Sequence, residues 1–354
     1  MTPQLSAEDT TSEPTLSVII PVYNGTPYLP ELIESLLAQQ RVPDEVIFVD
    51  DGSTDSSAAM ITKLGAGLVG LKVVRQDNQG QAIARNTGMR HATSRYLAFL
   101  DADDLVDPGR YVTLIGIAED DRLDIAMCNA WNYHEGRRPD TLVYRDLPDS
   151  GVMTGEAWFQ QRWLDRYLPH YCWMNIYRRA FIEEHGFAFP RAEPHEDVVW
   201  VTETLLAARR FRYIPKPLHR YRKKQTLALP PAPLTAGGAF RRHKVVESTL
   251  YNARALAEIA GREGLQPLTR KLIRRELVNG GCNVIRQIRR QLDPMQAAHY
   301  LRRIREERFF PLLWRNAAGP SQHWRLFRYH SLAYFLAAAT FLRTALLGSR
   351  EIRR

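Results

Sequence analysis

The sequence predicts an α/β chain: a mostly parallel sheet flanked by helices, followed by a basic, all-helical C-terminal region. Two observations predict the sheet. Short, mainly apolar β-branched or aromatic runs recur at Leu16–Val22, Glu45–Asp50, Leu71–Arg75 and Tyr96–Leu100, as expected of strands buried on both faces. Helix-like stretches separate them at about Pro27–Gln40, Ser56–Leu64 and Gln81–His91, and strands alternating with helices build βαβ units. One observation predicts the tail: from about Phe240 onward the strand pattern gives way to helical, Arg-rich sequence.

The remaining elements follow in order. Residues 1–15 are polar and acidic, without the basic start and apolar run of a signal peptide, and are expected to be a disordered leader on a cytoplasmic protein. Residues 16–228 are expected to form the α/β domain. Asp124–Ala130 reads as one more strand, and Trp131–Asp149, with Gly136 and two prolines, as a loop or hairpin excursion. A mixed stretch then ends in Phe211–Ile214 and the Pro215–Pro217 punctuation. Leu229–Gly238 (LPPAPLTAGG) reads as a linker, leaving 239–354 as the helical region. Within it, Ser331–Leu342 is uncharged but shorter than the ~20 apolar residues a spanning helix needs. Core helix and interfacial helix remain as its two readings. In the second, 325–348 lies on a membrane, with Arg325, Arg328, Arg343, Arg350, Arg353 and Arg354 facing anionic lipid.

Charge divides the same way. Residues 1–150 hold 12 Lys+Arg against 23 Asp+Glu, and 151–354 hold 36 against 16, within a formal net charge of +9. A basic half suits anionic lipid, nucleic acid or a phosphorylated substrate, and solvated helix faces account for part of it. Three widely spaced cysteines form neither a disulfide framework nor a zinc motif. No nucleic-acid module or aromatic platform accompanies the basic tail, so nucleic acid is not an expected partner.

The chemistry sits at the strand ends. Gly65-Ala-Gly-Leu-Val-Gly70 matches G-x-G-x-x-G but ends a helix and leads into a strand, the reverse of a dinucleotide site. The first strand ends in Pro21-Val22-Tyr23-Asn24-Gly25, where Pro21 and Tyr23 could frame a flat base. The second ends in Asp50-Asp51-Gly52-Ser53-Thr54-Asp55; capping explains its last residues but not adjacent carboxylates at 50 and 51. Asn78-Gln79-Gly80 precedes a helix whose N-terminus favours an anion, with Arg85 on its second turn. The fourth strand ends in Leu100-Asp101-Ala102-Asp103-Asp104. One helix cap needs one carboxylate, whereas a hard divalent cation takes one or two and completes its shell with phosphate oxygens and water. His195-Glu196-Asp197 opens a helix, as acidic residues commonly do, or brings a general base. Trp158, Trp163, Trp173 and Trp200 could stack on a sugar, and most of them are read as core.

Taken together, SVIIPVYNG, VIFVDDGSTD, DNQGQAIARNTG, YLAFLDADD and HEDVVW resemble, in order and approximate spacing, the family 2 glycosyltransferases of the GT-A fold, over about Leu16 to Tyr221. The resemblance implies a Rossmann-like GT-A domain and inverting transfer from a nucleotide sugar, usually a UDP-sugar, with Mn2+ or Mg2+ as cofactor. It implies that Pro21, Tyr23, Asp50 or Asp51, Asn78, Gly80, Arg85, Asp101 and Ala102 line the nucleotide-sugar pocket. Asp101-Ala102-Asp103 looks like the family's DxD motif, with Asp103 the firmest metal contact and Asp101 facing ribose or metal. Asp197 resembles the catalytic base, with Glu196 and His195 shaping the acceptor side. The Q-x-x-R-W of processive members is absent after Asp197: Gln160-Gln161-Arg162-Trp163 lies before it with the wrong spacing, which favours single-sugar addition. A lipid-linked saccharide acceptor, on the inner face of the cell membrane, is the expected partner. The competing classes are a nucleotidyltransferase, which lacks its basic glycine-rich loop here, and an inactive nucleotide-sugar-binding membrane protein.

Overall fold

A computed structural model describes residues 15–165, 170–191, 195–223, 236–291, 294–317 and 319–328. The chain divides into two compact units. One takes the segments up to Phe159, Pro169–Arg191 and Trp200–Thr226; the other takes Gln160–Leu168, Ala192–Val199 and Leu227 onward.

The first unit is built on β1 (Leu16–Val22), β2 (Glu45–Asp51), β3 (Leu71–Gln76) and β4 (Tyr96–Phe99), in the order β3-β2-β1-β4 and parallel throughout. Every residue of β1, β2 and β4 is buried, whereas β3, which carries Lys72 and Arg75, is only partly covered and departs from the expectation of burial on both faces. Between the strands run α1 (Leu29–Leu37), α2 (Ser57–Leu64) and α3 (Gln81–His91). Leu29, Leu32, Ile33 and Leu36 recur at helical spacing and are all buried, each stabilising the fold by about 1.5–3 kcal/mol. Helix α3 lies directly on the sheet: a Cβ at Gly88 would stand 2.3 Å from Ile19 Cγ2. Gly65–Gly67 forms a 3-10 turn that ends α2 before β3, as expected from its context.

Beyond β4 the sheet becomes mixed. The two-residue β5 (Leu105–Val106) and α4 (Arg110–Asp120) lead into β6 (Ile125–Tyr133). The chain continues through β7 (Thr141–Leu142), α5 (Gly155–Leu164), β8 (Asn175–Arg178), α6 (Arg179–His185), α7 (Asp197–Ala207) and β9 (Phe211–Arg222). The order continues β4-β8-β6-β9-β5, with β8 antiparallel to both neighbours, β9 parallel to β6, and β5 antiparallel to β9. The parallel character of the mostly parallel sheet expected resides in β3-β2-β1-β4 and in the β6/β9 pair. The strand expected at Asp124–Ala130 reaches Tyr133, and β7 pairs with its end as a hairpin inside the Trp131–Asp149 excursion.

One carboxylate staples the amino ends of the strands. Glu45, at the start of β2, accepts from Ser17 of β1 (2.5 Å), Lys72 of β3 (2.5 Å) and the Thr93 amide (2.8 Å).

The second unit contains α8 (Ala236–Gly261), α9 (Pro267–Gln291), α10 (Pro294–Glu306) and α11 (Phe309–Asn316), with residues 320–328 also helical. Leu250, Leu256, Ile273, Leu277, Ile304 and Leu313 are buried in it. A Cβ at Gly281 would lie 2.4 Å from Leu313 Cδ2, so α9 and α11 meet across a glycine. Helix α8 begins at Ala236, inside the stretch read as a linker; 229–235 and Ser331–Leu342 lie outside the described residues. Among the described residues no helix is long and apolar enough to cross a membrane.

Candidate active site

The parallel order brings the carboxyl ends of β1, β2 and β4 side by side, where ligands of open α/β sheets bind. The loops there are sewn to one another by short polar side chains. Asn24 takes a left-handed backbone (φ 52°), and its Oδ1 accepts from the Thr54 and Asp55 amides at 2.9 and 3.3 Å. The Gly25 amide donates to Ser57 Oγ (2.9 Å), and Thr26 donates to Asp55 through both its amide and its hydroxyl. Burial opposes the charge on Asp55, but the Ser57 and Thr26 donors outweigh it and hold the carboxyl at about 2. The Ser53–Asp55 motif is thus a suture between two loops. Pro21 is buried within β1, whereas Tyr23 is 54% exposed and stands over the loop.

The adjacent carboxylates at the end of β2 separate into two roles. Asp51 accepts from Gln76 Nε2 (2.7 Å), the Gln79 amide (2.9 Å) and the Gly80 amide (2.7 Å), which engages both of its oxygens. It fastens the Asn78–Gly80 turn. Gly80 suits that turn because its φ of 93° is open to few side chains. Asp50 accepts from the Ser53 amide through Oδ1 (2.9 Å), while its buried Oδ2 has no hydrogen-bond partner and lies 3.7 Å from Arg75 Nε. A buried acceptor without a donor costs about 1–3 kcal/mol. Of the two carboxylates, Asp50 is the one with capacity for a ligand donor.

Arg85, expected to line the nucleotide pocket, is 1% exposed. Its guanidinium donates to Asp101 Oδ1 (2.7 Å), which also accepts from Gln81 Nε2 (2.7 Å). The guanidinium sits 5.1 Å from the Phe189 ring centroid. Phe189 is itself pinned by a reciprocal pair of 2.8 Å bonds with the Asn86 side chain and stacks on Trp200. Helix α3 therefore orients Asp101 from below through Gln81 and Arg85.

The Asp101–Asp104 turn splits its carboxylates by depth. Asp101 and Asp103 are partly exposed with Ala102 between them, and Asp104 is fully buried. The β9 strand braces the buried one: His219 lies 2.9 Å from Asp104 Oδ2, and the Arg222 amide donates to Oδ1 at 2.8 Å. The Arg222 side chain donates to the Asp103 carbonyl (2.7 Å), to Glu31 and to Glu135. Arg110 donates to His219 Nδ1 and to the Trp173 carbonyl. A guanidinium only donates, so Nδ1 carries a lone pair and the neutral ring holds its proton on Nε2, directed at Asp104. Burial and then Arg110 push the His219 pKa well below the ordinary range. Burial, then Asp101 and Asp103, push the Asp104 carboxyl up.

Aromatic rings flank this turn. Trp173 is sandwiched between Tyr171 (4.6 Å between centroids) and His219 (4.2 Å), and Tyr221 lies 5.0 Å away. Burial, followed by Tyr171 and the three carboxylates, raises the Tyr221 phenol. The sequence reading missed this brace and its rings because β9 is charged and interrupted by proline. Trp158, Trp173 and Trp200 are buried, as read.

His195, Glu196 and Asp197 are counted with the second unit. His195 has a strained, left-handed φ of 79°, and its carbonyl accepts from Asn252 Nδ2 of α8 (2.9 Å). Glu196 is buried, and Asp197 is the first residue of α7.

Comparison with known proteins decides the family. The model of glycosyl transferase family 2 matches residues 17–186. Residues 17–186 form a family 2 glycosyltransferase domain. Among curated relatives, the uncharacterized glycosyltransferase YibD of Escherichia coli (strain K12) is 38% identical over 208 residues, 58% of this chain and 60% of that protein. The uncharacterized glycosyltransferase EpsJ of Bacillus subtilis (strain 168) is 31% identical over 219 residues, 59% of this chain and 61% of that protein. The chain thus spans about three-fifths of the length of these curated relatives. Among solved structures, S. aureus TarS 1–349 in complex with UDP-GlcNAc superposes with a TM-score of 0.54 at 19% identity, covering 77% of this chain and 81% of that one. The mannosyltransferase PcManGT from Pyrobaculum calidifontis, in complex with GDP-Man and Mn2+, gives 0.50 at 17% identity, over 95% and 86%. The family 2 domain of this chain has the GT-A fold.

Proposed function

We propose that this chain is an inverting glycosyltransferase that passes a single sugar from a nucleotide sugar to a saccharide acceptor. The observation that carries the reading is the division of labour at the Asp101–Asp104 turn. Asp104 is engaged by the β9 brace, while Asp101, oriented by Gln81 and Arg85, and Asp103 are the partly exposed carboxylates of the turn, beside the sutured β1 and β2 loops. Among the described residues no three His, Cys, Asp or Glu side chains form a closed metal cage. One or two carboxylates at a strand end nonetheless fit a hard cation that shares its shell with diphosphate oxygens. Asp103, with Asp101, would hold Mn2+ or Mg2+, which when bound neutralises charge on the departing diphosphate.

The protein's own groups then have distinct tasks. Tyr23 and Ala102 border the donor, with Asn78 on the neighbouring turn, and Asp50 Oδ2 accepts a base or ribose donor. Asp51, Gly80 and Arg85 shape the pocket from behind. Asp197 takes the acceptor hydroxyl proton as that oxygen bonds to the anomeric carbon; the bond to the diphosphate oxygen breaks and configuration inverts. Glu196 and His195 shape the acceptor side. TarS was solved with UDP-GlcNAc and PcManGT with GDP-Man, which supports a nucleotide-sugar donor; a UDP-sugar is our expectation.

We further infer that the tail holds the enzyme on an anionic membrane face, presenting it to a lipid-linked acceptor. Trp324 (63% exposed) and Phe327 (54%) stand beside Arg325 and Arg328, which supports the reading. Liposome cosedimentation tests it: equal binding by a chain truncated after Pro320 would remove the tail from the account.

Calorimetric titration with UDP, GDP, dTDP and CMP, in manganese and then EDTA, tests the donor site. UDP binding that needs metal and is lost in Asp103→Ala is expected, and absence of nucleotide binding by the folded protein would overturn the reading. Asp197→Asn is expected to bind donor normally and lose about 10²–10⁴-fold in turnover.

A further inference from the structure

The helical unit carries a group of cations that neither its core nor the donor site uses. A cavity of about 350 Å³ opens beside α9 and α11, lined by Arg270, Lys271, Arg274, Arg315 and Asn316 over an apolar floor that includes Leu265. Arg270 and Arg274 stand one turn apart on α9 with Lys271 beside them, and Arg315 comes from the last turn of α11.

No Asp or Glu lines the cavity. Elsewhere in this unit arginines find carboxylates: Arg303 is 2.6 Å from Glu307 and also pairs with Glu247, and Arg254 pairs with Glu307. Among the described residues none of the four cavity cations has such a partner. Arg270 places one donor on the Arg262 carbonyl (3.0 Å), and Arg274 Nε is buried with no acceptor. That N–H bears the desolvation penalty of an unmade hydrogen bond, and four like charges around one void repel. A helix C-terminus favours the charge on Arg315, but that does not account for its convergence with three others.

We propose that this cavity binds a phosphate or diphosphate group, either on a soluble phosphate ester or in a lipid headgroup. Arginine forks match phosphate oxygens in pairs, and Arg274 Nε would gain its missing acceptor.

Titration of the full chain with inorganic pyrophosphate, at low ionic strength and in EDTA, tests the proposal. A single saturable site is expected, weakened about tenfold or more in Arg274→Gln and in Arg270→Gln. It should be unchanged in Asp103→Ala, which separates it from the donor site. Arg302→Gln removes the same charge from an exposed position on α10 outside the cavity and should leave binding intact. If Arg274→Gln lowers the melting temperature, the exposed positions Lys271→Gln and Arg315→Gln carry the test instead. Vesicles of phosphatidylcholine with phosphatidic acid distinguish the source. Vesicle binding lost in the cavity variants identifies a headgroup; vesicle binding retained while pyrophosphate binding is lost identifies a soluble phosphate. The proposal is overturned if the wild type binds neither probe, if the cavity variants bind both as it does, or if Arg302→Gln weakens binding equally.

Discussion

Replacing Glu45 by glutamine should weaken the first unit in a pH-dependent way. In the folded chain burial opposes the Glu45 charge, yet Lys72, Ser17 and Thr93 together outweigh it and hold the carboxyl at about 2, against an ordinary 4.5. A depression of that size corresponds to about 3 kcal/mol at neutral pH, and allowing for solvent around the 38%-exposed Lys72 reduces it to about 2 kcal/mol. The folded pKa is the depressed one. The contribution is therefore complete above about 4.5, and it fades as pH falls towards about 2. Urea unfolding of wild type and Glu45→Gln at successive pH values measures it. The variant should lie about 2 kcal/mol below wild type at neutral pH, with the two curves converging through the acid window. An offset that stays constant from neutral pH down to the acid limit would refute the electrostatic reasoning and leave a packing effect. Glu45 lies at the amino ends of the strands, so nucleotide affinity of the folded variant should be unchanged.

Three further outcomes are expected. Asp51→Asn turns an amide N–H₂ towards groups that themselves donate, so it should lower stability by about 1–3 kcal/mol and weaken nucleotide binding; an unchanged melting temperature would contradict the clamp. His219→Phe keeps a ring against Trp173 but strips one donor from buried Asp104. A loss of about 2–4 kcal/mol is expected in urea unfolding, with weaker manganese-dependent nucleotide binding in calorimetry. Gly88→Ala forces a methyl group against Ile19 and should cost about 1–3 kcal/mol by thermal melting, with no change if α3 can ride outward freely.

The parallel half of the fold was legible because its signals are local. An apolar run, a capping turn and a helical stripe each lie within a dozen residues, and α3 was read at the bounds it has. The mixed half depends on partners far apart in sequence. Strand β9 contains Pro215 and Pro217, which read as punctuation; it is accommodated by a register irregularity opposite Asn129. The motif residues were likewise visible as types but not as roles. Adjacent carboxylates at 50 and 51 look alike in sequence, and only the approach of the Asn78–Gly80 turn engages one and leaves a buried oxygen on the other. Arg85 was found at its position yet proves to lie under Asp101, since helix α3 sits too close to the sheet to hold it further out.

The Arg110–His219 contact bears on how a pH–rate profile of the proposed transfer should be interpreted. Taking up a second proton would set an N–H on Nδ1 against a guanidinium that has nothing with which to accept it. This imidazole is therefore chemically silent across the range in which free histidine titrates. An acid limb near neutrality in a pH–rate profile, usually the mark of a histidine, could not be assigned to His219, and its origin would have to be sought among groups open to solvent or substrate.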